Sequence, residues 1–277
     1  MALNFTPEIW SARMLVSLKK ALVYGQPSVV NRDYEGEISN VGDTVRIRSI
    51  SRPTISSYSK GGTLTYEQLT DTERALLIDQ AKSFSFVVDD IDKAQQPGGA
   101  METATDEAAY ALRDQADQYL AALYTGAQAA NAIGTVSVTT AALAYTQLRR
   151  LSVKLDEANV PNEGRYVVVP PWYYGLLLES DLFLRADASS TPGLRNGVVG
   201  TVLGMDVLKS NNAPFVTGDD YAVIAGHPSA ISFAEQIVEM ETLRLQTTFG
   251  TGVRGLYVYG AKLVRPDAIA TVVASIT

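Results

Sequence analysis

Residues Val41 to Ile50 alternate cleanly, with Val45, Ile47 and Ser49 on one side and Thr44, Arg46 and Arg48 on the other. That period of two belongs to a half-buried strand. A second extended run, Leu76 to Val88, holds Leu77-Ile78 and Phe84-Ser85-Phe86-Val87. Between them lies Arg52 to Arg74, with turn chemistry at Ser56-Ser57-Tyr58-Ser59-Lys60-Gly61-Gly62. The pattern predicts a two-stranded ribbon whose arms of about 14 residues reach roughly 45 Å at strand rise. A compact chain of this length has a radius of gyration of only about 19 Å. A ribbon that long cannot bury both faces on its own core, and isolated hairpins are marginal in water. It needs another molecule to lie on.

The flanking segments raise the same question. Thr6-Pro7-Glu8 has the order of an N-cap, a preset φ and an acid at the positive end of a helix dipole. Ile9, Trp10, Met14, Leu18, Ala21 and Leu22 then keep one apolar face up to Tyr24. Gln26 to Asn40 is polar and irregular, so the N-terminus reads as an arm laid on another surface. Beyond Pro97-Gly98-Gly99 a helix is expected from about Ala100 to Thr125, closed by Gly126. Its apolar stripe is Met101, Ala104, Ala108, Leu112, Ala116, Leu120 and Leu123. Glu102, Asp106, Glu107, Asp114 and Asp117 populate the rest, with Arg113 the only base. At 1.5 Å per residue this spine helix is roughly 39 Å long.

The centre reads as mixed α/β. A short strand is expected at Thr135 to Thr139, and Thr140 caps a helix carrying Leu143, Leu148, Leu151, Leu155 and Ala158, stopped by Asn159 and Pro161. Arg165 to Val169 has the continuous apolar character of a buried strand. A helix follows Pro170-Pro171 through Leu178, then a loop over Asp187 to Gly204 and a strand at Met205 to Leu208. From Tyr221 the chain is mostly β, with strands at Tyr221 to Ala225, Ala230 to Phe233, Val238 to Leu245, Leu256 to Tyr259 and Ile269 to Ala274. The alternation slips at Thr242-Leu243, which suggests a bulge there.

Composition closes off most chemistry. With 277 residues, 46% hydrophobic and 19% charged, folding buries about 73% of the unfolded surface, enough for a core without staples. No cysteine is present, so disulfides, iron–sulfur clusters and thiol catalysis are excluded. A formal charge of −7 argues against a dedicated nucleic-acid binder. No apolar run reaches the roughly 18 residues that span a bilayer. The start, Met1 to Lys20, places its lysines after the apolar stretch, opposite to a secretion signal.

The single histidine, His227, precedes Pro228 without a nucleophile motif beside it and reads as a loop residue. Asp89-Asp90-Ile91-Asp92 lacks the spacing of a calcium loop and reads as a solvated turn. Ser17 to Lys20 and Ser57 to Lys60 match SxxK without its companion motifs, and Lys60-Gly61-Gly62-Thr63 has the wrong order for a phosphate loop. No catalytic, cofactor or metal site is expected. The unusual features are shapes: an arm, an overlong hairpin and a spine helix.

The order of these elements is specific. An arm, "NRDYEGEISNVGDTVRIRSI", a hairpin returning through "FSFVVDDIDKAQ", a spine helix, a mixed centre with "GVVGTVLGMDVLKSNNAP" and a β-rich end with "VYGAKLVRPDAIATVV" together resemble a tailed-bacteriophage major capsid protein of the Hong Kong 97 type. The resemblance implies an α+β fold with an N-terminal arm (1–39), an extended hairpin (40–92), a peripheral domain with the spine helix (93–134 and 228–277) and an axial domain (135–227). It implies pentamers and hexamers tiling an icosahedral shell around double-stranded DNA, assembled in the host bacterial cytoplasm. Catalysis and cofactors are not implied. The partners implied are the chain itself, a portal, and separate scaffolding and decoration proteins, with no membrane and no sequence-specific DNA contact.

Contacts between subunits are expected at Trp10, Met14, Arg46, Arg48, Arg52, Lys60, Gly61, Gly62, Glu102, Asp106 and Asp114, with the basic hairpin meeting the acidic helix. Some capsids of this type join a hairpin lysine to a neighbour's asparagine beside a glutamate. Lys60 could supply the amine, but the resemblance places the acceptor in the β-rich terminal region and no asparagine follows Asn212, so a shell without cross-links is expected. Other readings are an encapsulin-like compartment holding cargo, and a small hydrolase built on His227.

Overall fold

The computed structural model describes residues 23–34, 44–50, 53–55, 57, 60–61, 66–68, 71–89, 100–180, 198–245 and 250–276. The ribbon pairs β1 (Thr44–Ile50) with β2 (Asp71–Leu77) antiparallel, from Thr44 opposite Leu77 to Ile50 opposite Asp71. A second sheet has the order β3–β10–β9, made of Gln80–Asp89, Gly250–Leu263 and Ile231–Arg244, all antiparallel. The third has six strands in the order β4–β11–β8–β5–β7–β6. In chain order these are β4 (Ala132–Ser137), β5 (Arg165–Val169), β6 (Val198–Val202), β7 (Met205–Lys209), β8 (Asp220–Gly226) and β11 (Ile269–Ser275).

Among the described residues three helices cover these sheets. The spine helix α1 (Ala100–Ala122) lies against β3 and β10. Helix α2 (Ala141–Glu157) packs on β8 and β11 and touches α3 (Pro171–Leu178). One apolar cluster joins them, including Leu112, Leu120, Leu148, Val167, Tyr259 and Val272.

Local chemistry accounts for the central elements. The Thr140 hydroxyl accepts the Leu143 N–H at 3.3 Å, capping α2. Leu148, Leu151 and Leu155 are buried beneath it, and Asn159 ends it at φ 56°. β5 sits between β8 and β7 with all five residues buried, as its apolar run Tyr166 to Val169 requires. The guanidinium of Arg165 is buried with it, donating to the carbonyls of Pro161 (2.8 Å) and Val160 (2.6 Å) and pairing with Asp156 at 2.7 Å.

The fold departs from the sequence expectations in several places. The run Leu76 to Val88 is two strands: β2 ends at Leu77, and β3 leaves the ribbon to pair with β10. The paired arms are therefore 7 residues each, about 23 Å long. The loop over Asp187 to Gly204 contains β6, joined to β7 through Leu203 (φ 53°) and Gly204 (φ 75°). Two successive positive φ values make a tight hairpin turn, and a leucine in the first position conceals it in the sequence. The register slip in β9 falls where Glu239 and Ile237 face Leu256 and Tyr257, several residues before Thr242. Finally, Ile269–Ser275 pairs with β8 and β4 in the six-stranded sheet, although it lies inside the 228–277 segment expected to join the spine helix.

Candidate inter-subunit surfaces

The hairpin has a fixed root and a bare limb. Val45 and Leu76 are buried with Ile78, Ala234 and Val258, while Ile47 is half-buried on the same face and Arg46 is exposed on the other. Farther out, the Thr54 N–H donates to Glu67 Oε2 at 2.8 Å, and the Thr54 hydroxyl lies 3.2 Å from Glu67 Oε1. This clasp ties the two limbs together beyond the last paired strand residues. Every described residue from Pro53 to Gln68 is exposed, with Ile55 96% and Tyr66 90% accessible. Lys60 and Gly61 form an exposed turn, which Gly61 supports at φ 84°. Arg48 stands opposite Glu73 in the ribbon register. Trp10, Met14, Arg52 and Gly62 lie outside the described residues, as do the helix expected over 6–22 and most of the Asp89-to-Asp92 turn.

The spine helix carries its acids on one face. Ala109, Leu112, Ala116, Leu120 and Ala121 are buried. Asp106, Glu107 and Tyr110 are exposed, and Asp114 is half-buried, accepting from Gln118 Nε2 at 2.7 Å. Glu102 lies in the first turn.

Asp117 does not belong to that acidic face. It is 4% exposed and receives donors from two remote segments. The N–H groups of Val23 (3.0 Å) and Tyr24 (2.8 Å) donate to Oδ1, and Asn212 Nδ2 (3.1 Å) and the Ser210 hydroxyl (3.5 Å) donate to Oδ2. Burial raises its pKa, and these hydrogen bonds oppose the rise by favouring the carboxylate. The spine helix, the end of β7 and the start of the described N-terminal segment therefore meet at one carboxylate.

A second buried carboxylate holds the other end of that segment. Glu235 accepts from the guanidinium of Arg32 and from the Tyr257 hydroxyl at 2.5 Å. Arg32 also donates to the Gly25 carbonyl at 3.0 Å and lies over the Phe233 ring. Asn31 bridges to β9, its N–H donating to Ile231 O and its carbonyl accepting from Phe233 N–H, each at 2.9 Å. Tyr24, Val29 and Val30 are buried. Residues 23–34 therefore rest on their own chain, which corrects the expectation for Gln26 to Tyr34, while the rest of the stretch to Asn40 lies outside the described residues.

His227 builds a turn. Its Nδ1 accepts the Ser229 N–H at 3.2 Å and lies 2.8 Å from Ser229 Oγ, capping the 3-10 turn Pro228–Ala230. Burial lowers its pKa, and the cations Arg265 and Arg165 lower it further. Among the described residues no group of three or more His, Asp or Glu side chains is placed to hold a metal ion.

Sequence reasoning did not single out Ile55, Tyr66 or Tyr110. The first two stand as isolated apolar residues in a polar stretch, and Tyr110 follows Asp106 and precedes Asp114 at helical spacing of four. Those spacings were the available signal.

The comparisons agree with this architecture. The sequence matches the family described as phage capsid protein over residues 71–272. It matches none of the curated proteins. Among solved structures, a chain of Mycobacterium phage Che8 is 35% identical, with 91% of this chain and 90% of that one covered and a TM-score of 0.74. A chain from the capsid structure of cyanophage P-SCSP1u is 19% identical over 94% and 90%, with a TM-score of 0.71. The SrpI encapsulin of Synechococcus elongatus PCC 7942 shares the fold at 9% identity over 76% and 79%, with a TM-score of 0.55. With its spine helix and most of its length inside the family match, this chain belongs to the phage capsid protein family as a tailed-phage major capsid protein, a subunit that assembles into the shell of the virion.

Proposed function

We propose that the chain is a non-enzymatic shell subunit of the Hong Kong 97 type, forming pentamers and hexamers that close an icosahedral capsid around double-stranded DNA. The observation that carries this reading is the bare limb beyond the clasp, where Ile55 and Tyr66 stand in water on a hairpin whose root is anchored to the body. A lone subunit gains nothing from that exposure; a tile that overlaps its neighbour gains contact area. The six-stranded sheet then forms the axial domain, completed by Ile269–Ser275, and the three-stranded sheet with the spine helix forms the peripheral domain. The hairpin basic residues Arg46, Arg48, Arg52 and Lys60 face acids of a neighbouring spine helix, among them Glu102, Asp106 and Asp114. Trp10 and Met14 of the arm add contacts with adjacent subunits. Assembly takes place in the host cytoplasm, with a portal and separate scaffolding and decoration proteins. The acidic balance of −7 suits a container whose DNA must pack and leave without sticking.

Deleting Ser57 to Thr65 tests the reading. The shortened subunit is expected to stay folded and to form no closed shells in electron micrographs; normal shells from it would refute the role of the hairpin. A cargo compartment of the encapsulin kind would instead yield shells of uniform small diameter without nucleic acid inside.

A further inference from the structure

Besides the spine helix, two adjacent crossings carry the chain between the six-stranded and three-stranded sheets. β8 leads into β9 through the turn Pro228–Ala230, and β10 leads into β11 through the turn Pro266–Ala268. The crossings hold each other. The Val264 (2.8 Å) and Arg265 (3.0 Å) N–H groups donate to the Ala230 carbonyl, and the His227 N–H donates to the Ala268 carbonyl at 3.2 Å. The fit is close, since a Cβ on Gly226 would stand 3.0 Å from that same Ala268 oxygen. The two sheets are thus tied through a joint of a few backbone hydrogen bonds, and the side chain that caps its first turn is His227.

We infer that His227 is an acid-sensitive latch on this joint: neutral, it fixes the paired turns, and protonated, it releases them so that the two sheets can shift. The inference concerns the subunit itself and does not depend on which neighbours surround it.

The neutral ring is fully used. Nδ1 accepts the Ser229 N–H at 3.2 Å and stands 2.8 Å from the Ser229 hydroxyl. With Nδ1 as acceptor the ring's proton is on Nε2, and the backbone carbonyl of Glu163 accepts from the ring. A second proton must go to Nδ1, which turns the acceptor into a donor facing the Ser229 N–H. The cap then opposes the turn it held.

The surrounding charges act in the same direction. Arg265 faces the ring from the second crossing and Arg165 from the start of β5. Arg165 is itself paired with Asp156 at the end of α2, and Glu163 and Asp267 are the acids on the adjoining loops. Burial lowers the pKa of the ring below the ordinary 6.5, and the two arginines add to the drop against the Glu163 carbonyl, which favours the proton. A histidine lowered in this way supports the fold above pH 6.5, and that support is lost as pH falls through the lowered value. The ring is half-buried, so solvent protons reach it.

Hydrogen exchange read by mass spectrometry tests the latch on the whole chain, as free subunits or in shells. His227 is the sole histidine, so exchange at its imidazole carbon gives the ring's own midpoint, expected below 6.5. Amide exchange over 226–231 and 263–269, corrected for its intrinsic pH dependence, is expected to quicken about tenfold as pH falls through that midpoint, the worth of one N-cap. His227→Asn keeps a capping acceptor without a titrating ring and should lack this step, while Asp117 and every other acid are common to both chains. Equal steps in wild type and His227→Asn overturn the inference, as does a ring midpoint at or above 6.5. Arg265→Gln leaves the cap in place and supplies a second measurement. The ring midpoint and the amide step should rise together, and an amide step that stays put while the ring midpoint rises overturns the latch.

Discussion

A Cβ on Gly260 would stand 2.4 Å from the carbonyl oxygen of Leu77. The hairpin thus crosses β10 with no room for a side chain, and Ile78 Cα would be only 2.9 Å away. This approach brings Leu76 and Ile78 onto Ala234 and Val258 and sets the point where the chain turns from ribbon into β3. Gly255 has a related but softer constraint, since its added Cβ would meet the far edge of the Phe84 ring at 2.4 Å.

Those two glycines give the first prediction. Backbone atoms cannot rotate aside, so Gly260→Ala is expected to destabilise the subunit by about 3 kcal/mol, the upper part of the overpacking range. Phe84 is half-buried on an edge strand and can turn, so Gly255→Ala is expected to cost about 1 kcal/mol. Urea unfolding of both variants checks the order. Equal costs would show that the hairpin crossing is no tighter than the aromatic contact.

The Asp117 junction gives the second. Asp117→Ala leaves the Val23 and Tyr24 N–H groups without their acceptor and is expected to cost about 2–4 kcal/mol. Asp117→Asn retains one acceptor oxygen and removes the charge. Because the folded pKa is raised, protonation favours the folded state. Its contribution is complete below the ordinary carboxylate pKa and is lost as pH climbs through the raised value. Wild-type stability relative to Asp117→Asn should therefore fall as pH increases through that window and level off above it. A difference that grows with pH would mean that the hydrogen bonds outweigh burial.

The buried trio gives the third. Removing Glu235 strands Arg32 against a carboxylate site with 1% side-chain exposure, so Glu235→Ala is expected to cost about 3–5 kcal/mol. Arg32→Ala in the same chain should relieve part of that cost, giving a coupling of about 2 kcal/mol in a double-mutant cycle. Additive losses would indicate that the two residues act separately.

Local signals made much of this fold legible in the sequence. The Thr140 cap, the leucine spacing of α2, the unbroken Arg165–Val169 run and the Val45/Arg46 alternation each predict what the structure contains. What escaped depends on residues far apart in the chain. Nothing near Ile78-Asp79 marks a strand break, and the close approach of the chain there to Gly260 is a contact with a residue far along the sequence. Asp117 falls at a position that reads as solvent-facing until Val23 and Asn212 close over it. The segment 23–34 looks unpartnered because its partners are Asp117 and Glu235. At the candidate surfaces, charge pointed to the hairpin and helix, but exposure of Ile55, Tyr66 and Tyr110 is a property of the folded chain alone.

The last prediction concerns how the shell is held. A cross-link between lysine and asparagine requires a neutral amine, an amide carbonyl and a base within a few ångströms of one another, shielded from water. Lys60 is exposed at its turn and could reach a neighbour. The acceptor is missing, since no asparagine follows Asn212. Gln236 sits in β9 opposite Val258, inside a paired strand, and Gln246 lies outside the described residues. Of the candidate bases, Glu239 takes part in the register slip opposite Leu256, while Glu241 accepts from the Arg254 guanidinium, with Nε at 2.8 Å. A carboxylate neutralised by arginine is a poor proton acceptor. Non-covalent contacts must then supply the strength of the shell. Mature particles boiled in detergent are expected to run as a single band at monomer mass, and a ladder of oligomers abolished by Lys60→Arg would overturn this.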